Sequence, residues 1–288
     1  MSRVSAYVAL TKPRIIELLL VTTLPTMVVA QRGLPPIWLM VVTMVGGSLA
    51  AGGANAINMV VDRDIDALMP RTKNRPLVTG AMTPTAALVF AIILEIGAFA
   101  VLWSAVNLLS AILAVSATAF YVFVYTMWLK RTTTQNIVIG GAAGAVPVLV
   151  GWAAVTNNLS WAPILLFAII FAWTPPHFWA LAIKYRDEYA SVDVPMLPSV
   201  ASHKSTSRQI TAYTILLWVI SLVFGPVAHM GPIYMASATV LGGAFLWYSV
   251  ALQRDGSTVR AMRLFHYSIT YVTLLFAAMA VDALVRGH

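Results

Sequence analysis

Apolar residues recur in nine blocks of about 20, near positions 15–33, 37–61, 83–104, 108–128, 136–156, 160–183, 210–230, 233–252 and 265–285. No other feature of the 288-residue chain restricts its fold as tightly. A bilayer core about 30 Å thick is crossed by about 20 helical residues, and every backbone N–H and C=O must be satisfied within the crossing segment. The blocks show neither the alternation of a half-buried strand nor the polar face of a soluble helix. They predict an all-α polytopic membrane protein of about nine transmembrane helices, with residues 1–288 forming a single domain. The charged fraction agrees: it is 10%, whereas soluble domains carry roughly 25%. With no cysteine, disulfides, thiolate metal sites and cysteine nucleophiles are excluded.

Basic residues predict the orientation. Nine spans put the termini on opposite sides. Arg3, Lys12, Arg14, Arg63, Arg71, Lys73, Arg75, Lys130, Arg131, Lys184, Arg186, Lys204, Arg208, Arg254, Arg260 and Arg263 all fall on the side of the N-terminus, leaving only Arg32 and Arg286 opposite. Positive-inside then places the N-terminus and the long loops in the cytoplasm and the C-terminus across the cell membrane. The opening MSRVSAYVALTKPRI lacks the apolar core and cleavage site of a secretory leader, and is read as a cytoplasmic end. Topology and anionic lipid headgroups account for the net charge of +8, so nucleic acid need not be invoked. Two loops on that side, 62–82 and 184–209, are long, and long ordered loops usually carry function.

The first long loop opens on NAINMVVDRDID, residues 55–66. Asn58, Asp62 and Asp66 are spaced i, i+4, i+8, which stacks them on one helix face and turns Asp64 away. Carboxylates on successive turns at a membrane boundary repel and are costly to desolvate, so a cation is expected between them. The plainer alternative is local pairing with Arg63 or Arg71. Oxygen ligands without His or Cys suit Mg²⁺ or Ca²⁺. An EF-hand is rejected, because Ala67 stands where its glycine is required and Lys73 where its last glutamate is. Mg²⁺ takes one or two carboxylates and completes its shell with water and substrate phosphate. Arg71, Lys73 and Arg75, following directly, are placed to clamp phosphate oxygens. A magnesium-diphosphate site at the mouth of a lipid-embedded cavity suits a prenyl diphosphate, which combines a charged head with a hydrocarbon tail.

NAINMVVDRDID resembles the N-x-x-x-D-x-x-x-D signature of the UbiA-type intramembrane prenyltransferases, carried here by Asn58, Asp62 and Asp66. MPRTKNRPLVTG, the stretch YTMWLKRTTTQNIVIGGAAGAVPVLVGW at 125–152 and TPPHFWALAIKYRDEYASVDVPMLP at 174–198 extend the likeness to the heme-prenylating members, in the same order along nearly the whole chain. The resemblance implies nine helices around a central cavity and Mg²⁺ dependence. It further implies transfer of farnesyl from farnesyl diphosphate to a vinyl group of heme B, with water adding to leave a hydroxyethylfarnesyl group, and heme-modifying or oxidase-assembly proteins as further partners. One departure stands out. Where many relatives repeat D-x-x-x-D, this chain has Asp187, Glu188 and Asp193, none four apart, so the pattern for a second magnesium held in that way is missing. Asp187 and Glu188 are expected to orient Lys184 and Arg186, or to hold metal through water.

Tyr125, Lys130 and Arg131 lie where the fourth block ends, on the aspartates' side; the two cations are candidates for diphosphate or a heme propionate, or simply set topology. His177 follows Pro175 and Pro176 inside the sixth block, where proline breaks the hydrogen-bond ladder. A buried histidine there is a candidate to ligate heme iron, bind substrate or move a proton; the alternative is that it caps carbonyls the prolines free. His203, His229, His266 and His288 are assigned to loops or helix ends. Glu17 is paired with Arg14, and Glu95 falls mid-membrane with no partner that sequence supplies. Two other functions fit parts of the pattern: prenylation of an aromatic acceptor such as a quinone precursor or chlorophyllide, and ion transport, which intramembrane acids also mark. Against transport, the acids gather at one mouth.

Overall fold

The computed structural model describes residues 2–287, with the side chains of residues 3 and 14–20 outside that description; the Glu17–Arg14 pairing and His288 therefore lie outside the described residues. The chain is 83% helical, with no strand among the described residues. In order come α1 (Arg3–Thr11), α2 (Pro13–Gln31), α3 (Ile37–Val61), α4 (Arg63–Leu68), α5 (Pro84–Ala105), α6 (Leu108–Ala119), a π-helix (Phe120–Leu129), α7 (Lys130–Thr132), α8 (Asn136–Thr156), α9 (Trp161–Lys184), α10 (Arg186–Ala190), α11 (Leu197–Val200), α12 (His203–Val227), α13 (Pro232–Asp255) and α14 (Thr258–Arg286). Eight described helices are long and apolar enough to cross a membrane, the run Leu108–Thr132 counting as one; α2, 19 residues long, is a further helix at the first expected block.

Two helices begin a full two turns before their apolar blocks. The polar stretch HKSTSRQ and the mixed stretch TVRAMRL lie outside the apolar blocks, yet both are helical. Ser202 and Ser257 act as N-caps, their hydroxyls accepting from the backbone N–H groups of Ser205 (3.2 Å) and Arg260 (3.3 Å). His266 consequently lies inside α14 and not at its end.

Small residues draw α3 and α5 together along GGSLAAGGANA. At Gly53 the missing side chain admits Glu95: a Cβ there would collide with its carboxyl group. Thr118 of α6 donates to Glu95 Oε1 (3.1 Å), supplying the partner absent from the sequence reading, while Oε2 is buried without one. Helices α9, α12, α13 and α14 share a core built on Trp173, Trp179, Phe224, Tyr234, Phe245 and Tyr271.

At the other end of α14, Asp282, 1% exposed, caps a neighbouring helix. Its carboxylate accepts from the backbone N–H groups of Gly231 (2.5 Å), Ile233 (3.1 Å) and Tyr234 (3.3 Å), the orphan donors at the start of α13. Asp282→Ala leaves these donors unmet and is expected to cost about 2 kcal/mol. A lowered unfolding midpoint in detergent, with an unchanged KM for substrate, is the expected result; an unchanged midpoint would refute this role.

Candidate active site

The chain breaks helix geometry only lightly at the acidic cluster. Asp62 caps α3 and starts α4, and the bonds Asp62 N→Asn58 O and Asp66 N→Asp62 O, both 2.9 Å, carry the i+4 register through the junction. Asn58, Asp62 and Asp66 are 3%, 0% and 3% exposed, whereas Asp64 is exposed, as the spacing requires.

Each inward carboxylate meets a cation, Asp62 one from a distant stretch of chain and Asp66 one nine residues on. Lys130 Nζ donates to Asp62 Oδ2, which also accepts from Asn58 Nδ2 (2.7 Å). Arg75 reaches Asp66 at 2.5 Å. Outside the cluster Arg131 grips Asp64 through both guanidinium nitrogens (2.6 and 2.7 Å) and holds its carboxyl down at about 2. Arg63 and Arg71, the local partners weighed from sequence, are not the ones used. Asp62 Oδ1 is buried without a hydrogen bond, with Arg131 3.8 Å away.

Local structure explains how these cations arrive. Thr72 donates to Asp66 O (2.9 Å), and the turns Thr72 N→Met69 O and Arg75 N→Thr72 O wind the loop back so that Arg75 faces Asp66. The π-helix puts residues four and five apart on one face. Thr126 thereby accepts from Asn58 Nδ2 (3.2 Å), and Lys130 follows onto Asp62. Tyr125 stacks on Tyr121 (5.3 Å between centroids) in space left by Gly140, where a Cβ would collide with its ring.

One cation in the cluster had been assigned only to topology. Lys12 stands between α1 and α2 in the left-handed region (φ 50°), a costly conformation for a residue other than glycine. Asn55 Nδ2 pins the turn through Thr11 O (3.2 Å), and Lys12 Nζ donates to Asn58 Oδ1 (2.9 Å). Burial, with Arg75 and Lys130 nearby, pulls its ammonium down to about 7. Nothing in the local pattern TKPR signals this contact, since its partner lies 46 residues on.

The other candidates are more dispersed. Lys73, Lys184, Arg186 and Asp187 are exposed. Arg71 and Lys184 both lie 5.4 Å from the centre of the Tyr185 ring, which joins the two long loops. Asp187 and Glu188 form no ion pair with Lys184 or Arg186 among the described residues: Arg186 is only one and two residues from them and does not face them on α10, and Lys184 lies across the break at Tyr185 between α9 and α10. Glu188 Oε2 is instead buried and unpaired. Helix α9 runs unbroken through Pro175 and Pro176, and His177 caps no freed carbonyl: its Nδ1 meets Ser268 Oγ of α14 at 2.6 Å.

Fold and site together define a polytopic helical membrane protein that collects carboxylates and cations at one end of its bundle. The chain belongs to the UbiA prenyltransferase family, whose pattern it matches over residues 19–277. It is similar to the protoheme IX farnesyltransferase of Streptomyces coelicolor, with 54% identity across 99% of this chain and 92% of that one. Among solved structures it resembles one described for digeranylgeranylglyceryl phosphate synthase (TM-score 0.82, 16% identity, 99% of this chain and 100% of that one). It also resembles a UbiA homolog from Archaeoglobus fulgidus bound to DMAPP and Mg²⁺ (TM-score 0.64, 15% identity, 96% and 99%).

Proposed function

We propose that this prenyltransferase moves a farnesyl group from farnesyl diphosphate to a vinyl group of heme B, with Mg²⁺ required and water adding across the vinyl group. The 54% identity to a protoheme IX farnesyltransferase over nearly the full chain supports the donor and acceptor. The observation that carries the metal is Asp62 Oδ1, a buried carboxylate oxygen without a hydrogen-bond partner in an all-oxygen donor set. The residues fit a hard cation: Asp62 and Asp66 would hold it, with Asn58 as the neutral third donor. When bound, Mg²⁺ supplies positive charge against the departing diphosphate.

The chain's own groups do the rest. Arg75 and Lys130 are half-buried cations that have only to turn from carboxylate to phosphate to take up the diphosphate charge, and Lys12 has only to turn from the Asn58 amide oxygen; Arg71, Lys73 and Arg131 extend that field toward the cytoplasm. As the allylic C–O bond breaks, its electron pair leaves with diphosphate. The vinyl π electrons form the new C–C bond, and water adds to the resulting cation and gives up a proton. His177 is assigned to heme, and the exposed Lys184 and Arg186 to its propionates, with Asp187 and Glu188 at the same loop. The orientation follows from the basic residues: N-terminus and active-site loops cytoplasmic, C-terminus across the inner membrane.

Mass spectrometry of heme extracted after incubation with heme B, farnesyl diphosphate and Mg²⁺, beside a matched EDTA sample, tests this directly. A product heavier by one farnesyl and one water, seen only with Mg²⁺, is expected. Unchanged heme from protein that still binds farnesyl diphosphate would overturn the acceptor.

A further inference from the structure

Three aromatic rings and one serine surround His177, which is 9% exposed. Trp173 stacks on one side (4.2 Å, 20°), Phe265 packs at 4.7 Å with a 30° tilt, and Phe178 meets the ring edge-on at 5.0 Å. Nδ1 lies 2.6 Å from Ser268 Oγ, while Nε2 makes no hydrogen bond to any described residue. The tautomer follows from counting protons. Ser268 Oγ is also 2.6 Å from Phe265 O, and a carbonyl can only accept, so the single hydroxyl proton is committed there. Toward His177 the serine has only a lone pair to offer, and Nδ1 must therefore carry the imidazole proton. Nε2 is left with its lone pair.

Ser268 is itself held in place. Trp173 Nε1, one turn before His177 on α9, donates to Ser268 O (2.8 Å), so the backbone carrying the hydroxyl is tied to the helix carrying the histidine. His177 sits seven residues before Lys184, about 10 Å along α9 from its end at the long loop. Accepting the reading above, on which heme is the acceptor, we infer that Ser268 is a positioning residue: it fixes the His177 tautomer and ring orientation so that the Nε2 lone pair is presented to the iron of the incoming heme. The arrangement follows the general logic of histidine ligands, whose second nitrogen donates to an oxygen that sets tautomer and orientation.

The test uses ferric heme B titrated into the detergent-purified full chain, read by its Soret and visible bands and by the dissociation constant, with farnesyl diphosphate binding and the unfolding midpoint measured alongside. In the wild-type protein a saturable imidazole-type spectrum is expected, and His177→Ala should abolish it. Ser268→Ala should weaken heme binding by about tenfold or more and move the spectrum toward that of His177→Ala. Ser268→Thr, which keeps the hydroxyl, should restore both, and farnesyl diphosphate binding should be unchanged throughout. If His177→Ala loses the signature while Ser268→Ala keeps wild-type spectrum and affinity, the positioning role is wrong and the heme assignment of His177 stands. If His177→Ala binds heme with the wild-type spectrum, that assignment falls and the role of Ser268 with it; if the wild-type protein binds no heme, the acceptor itself is wrong. Equal losses of heme binding, farnesyl diphosphate binding and melting temperature in Ser268→Ala would reduce the contact to a structural one.

Discussion

Asp62→Asn is expected to slow prenyl transfer by about a thousandfold while leaving the helices folded. A metal's stabilisation of transition-state charge is worth several kcal/mol, and each 1.36 kcal/mol is tenfold in rate. The amide keeps the side-chain volume and one oxygen, so packing around this fully buried residue survives; what disappears is the charge. Asp66→Asn should behave alike, since it is equally buried and faces the same way. Asp64 provides the contrast two residues from each. Its side chain is 62% exposed, and its ion pair with Arg131 is a surface interaction worth at most about 1 kcal/mol. Because Arg131 depresses its pKa to about 2, that contribution is present above the ordinary carboxylate range and is lost only as pH falls toward 2, so it is constant through any assay near neutrality. Asp64→Asn should therefore keep the rate within about fivefold. Rates at limiting Mg²⁺, with melting curves on the same preparations, decide the matter. A near-normal rate for Asp62→Asn, or an equal loss for Asp64→Asn, would remove the carboxylate assignment.

The contrast between Asp62 and Asp64 was readable from spacing alone, because helix periodicity is local and the apolar run of α3 reaches to within one residue of the cluster. The spans were readable for the same reason: twenty apolar residues have one low-energy answer in a bilayer. What could not be read was any contact between distant segments. The partner of Asp62 comes from residue 130, 68 residues on, and Lys12 joins Asn58 across 46 residues. Local charge patterning pointed to Arg63 and Arg71 instead. The π-helix left no mark either, since FYVFVYTMWL satisfies an α-helical reading equally well; only its consequence, Thr126 and Lys130 turned onto α3, reveals it. Ser268 was invisible for a further reason: a serine in an apolar helix usually bonds its own preceding turn, which this one also does, and its second contact depends on α9 and α14 packing together.

The same non-local pairing gives Lys130→Met two effects of opposite sign. Lys130 is the closest cation to Asp62, whose side chain is fully buried, and removing one member of such a pair leaves a charge that neither water nor Arg131, at 3.8 Å, fully compensates. A loss of about 3 kcal/mol is expected in EDTA, seen as a lower unfolding midpoint. Yet Lys130, on Oδ2, neutralises the carboxylate whose free Oδ1 a metal would use, so its removal also removes a competing positive charge. Mg²⁺ should bind the variant more tightly than it binds the wild-type chain. At a hundredfold excess over its dissociation constant it restores about 2.7 kcal/mol, so the Mg²⁺-induced rise in midpoint is larger in Lys130→Met. Transfer at saturating Mg²⁺ should nevertheless remain about a hundredfold slow, because the diphosphate has lost a positioned cation that no metal at Asp62 replaces. A purely structural ion pair would give the first effect without the second: the variant would be less stable and Mg²⁺ would do nothing for it. An Mg²⁺ shift no larger than that of the wild-type chain would mean that Lys130 is the resident counter-ion of Asp62 and that no metal competes with it there.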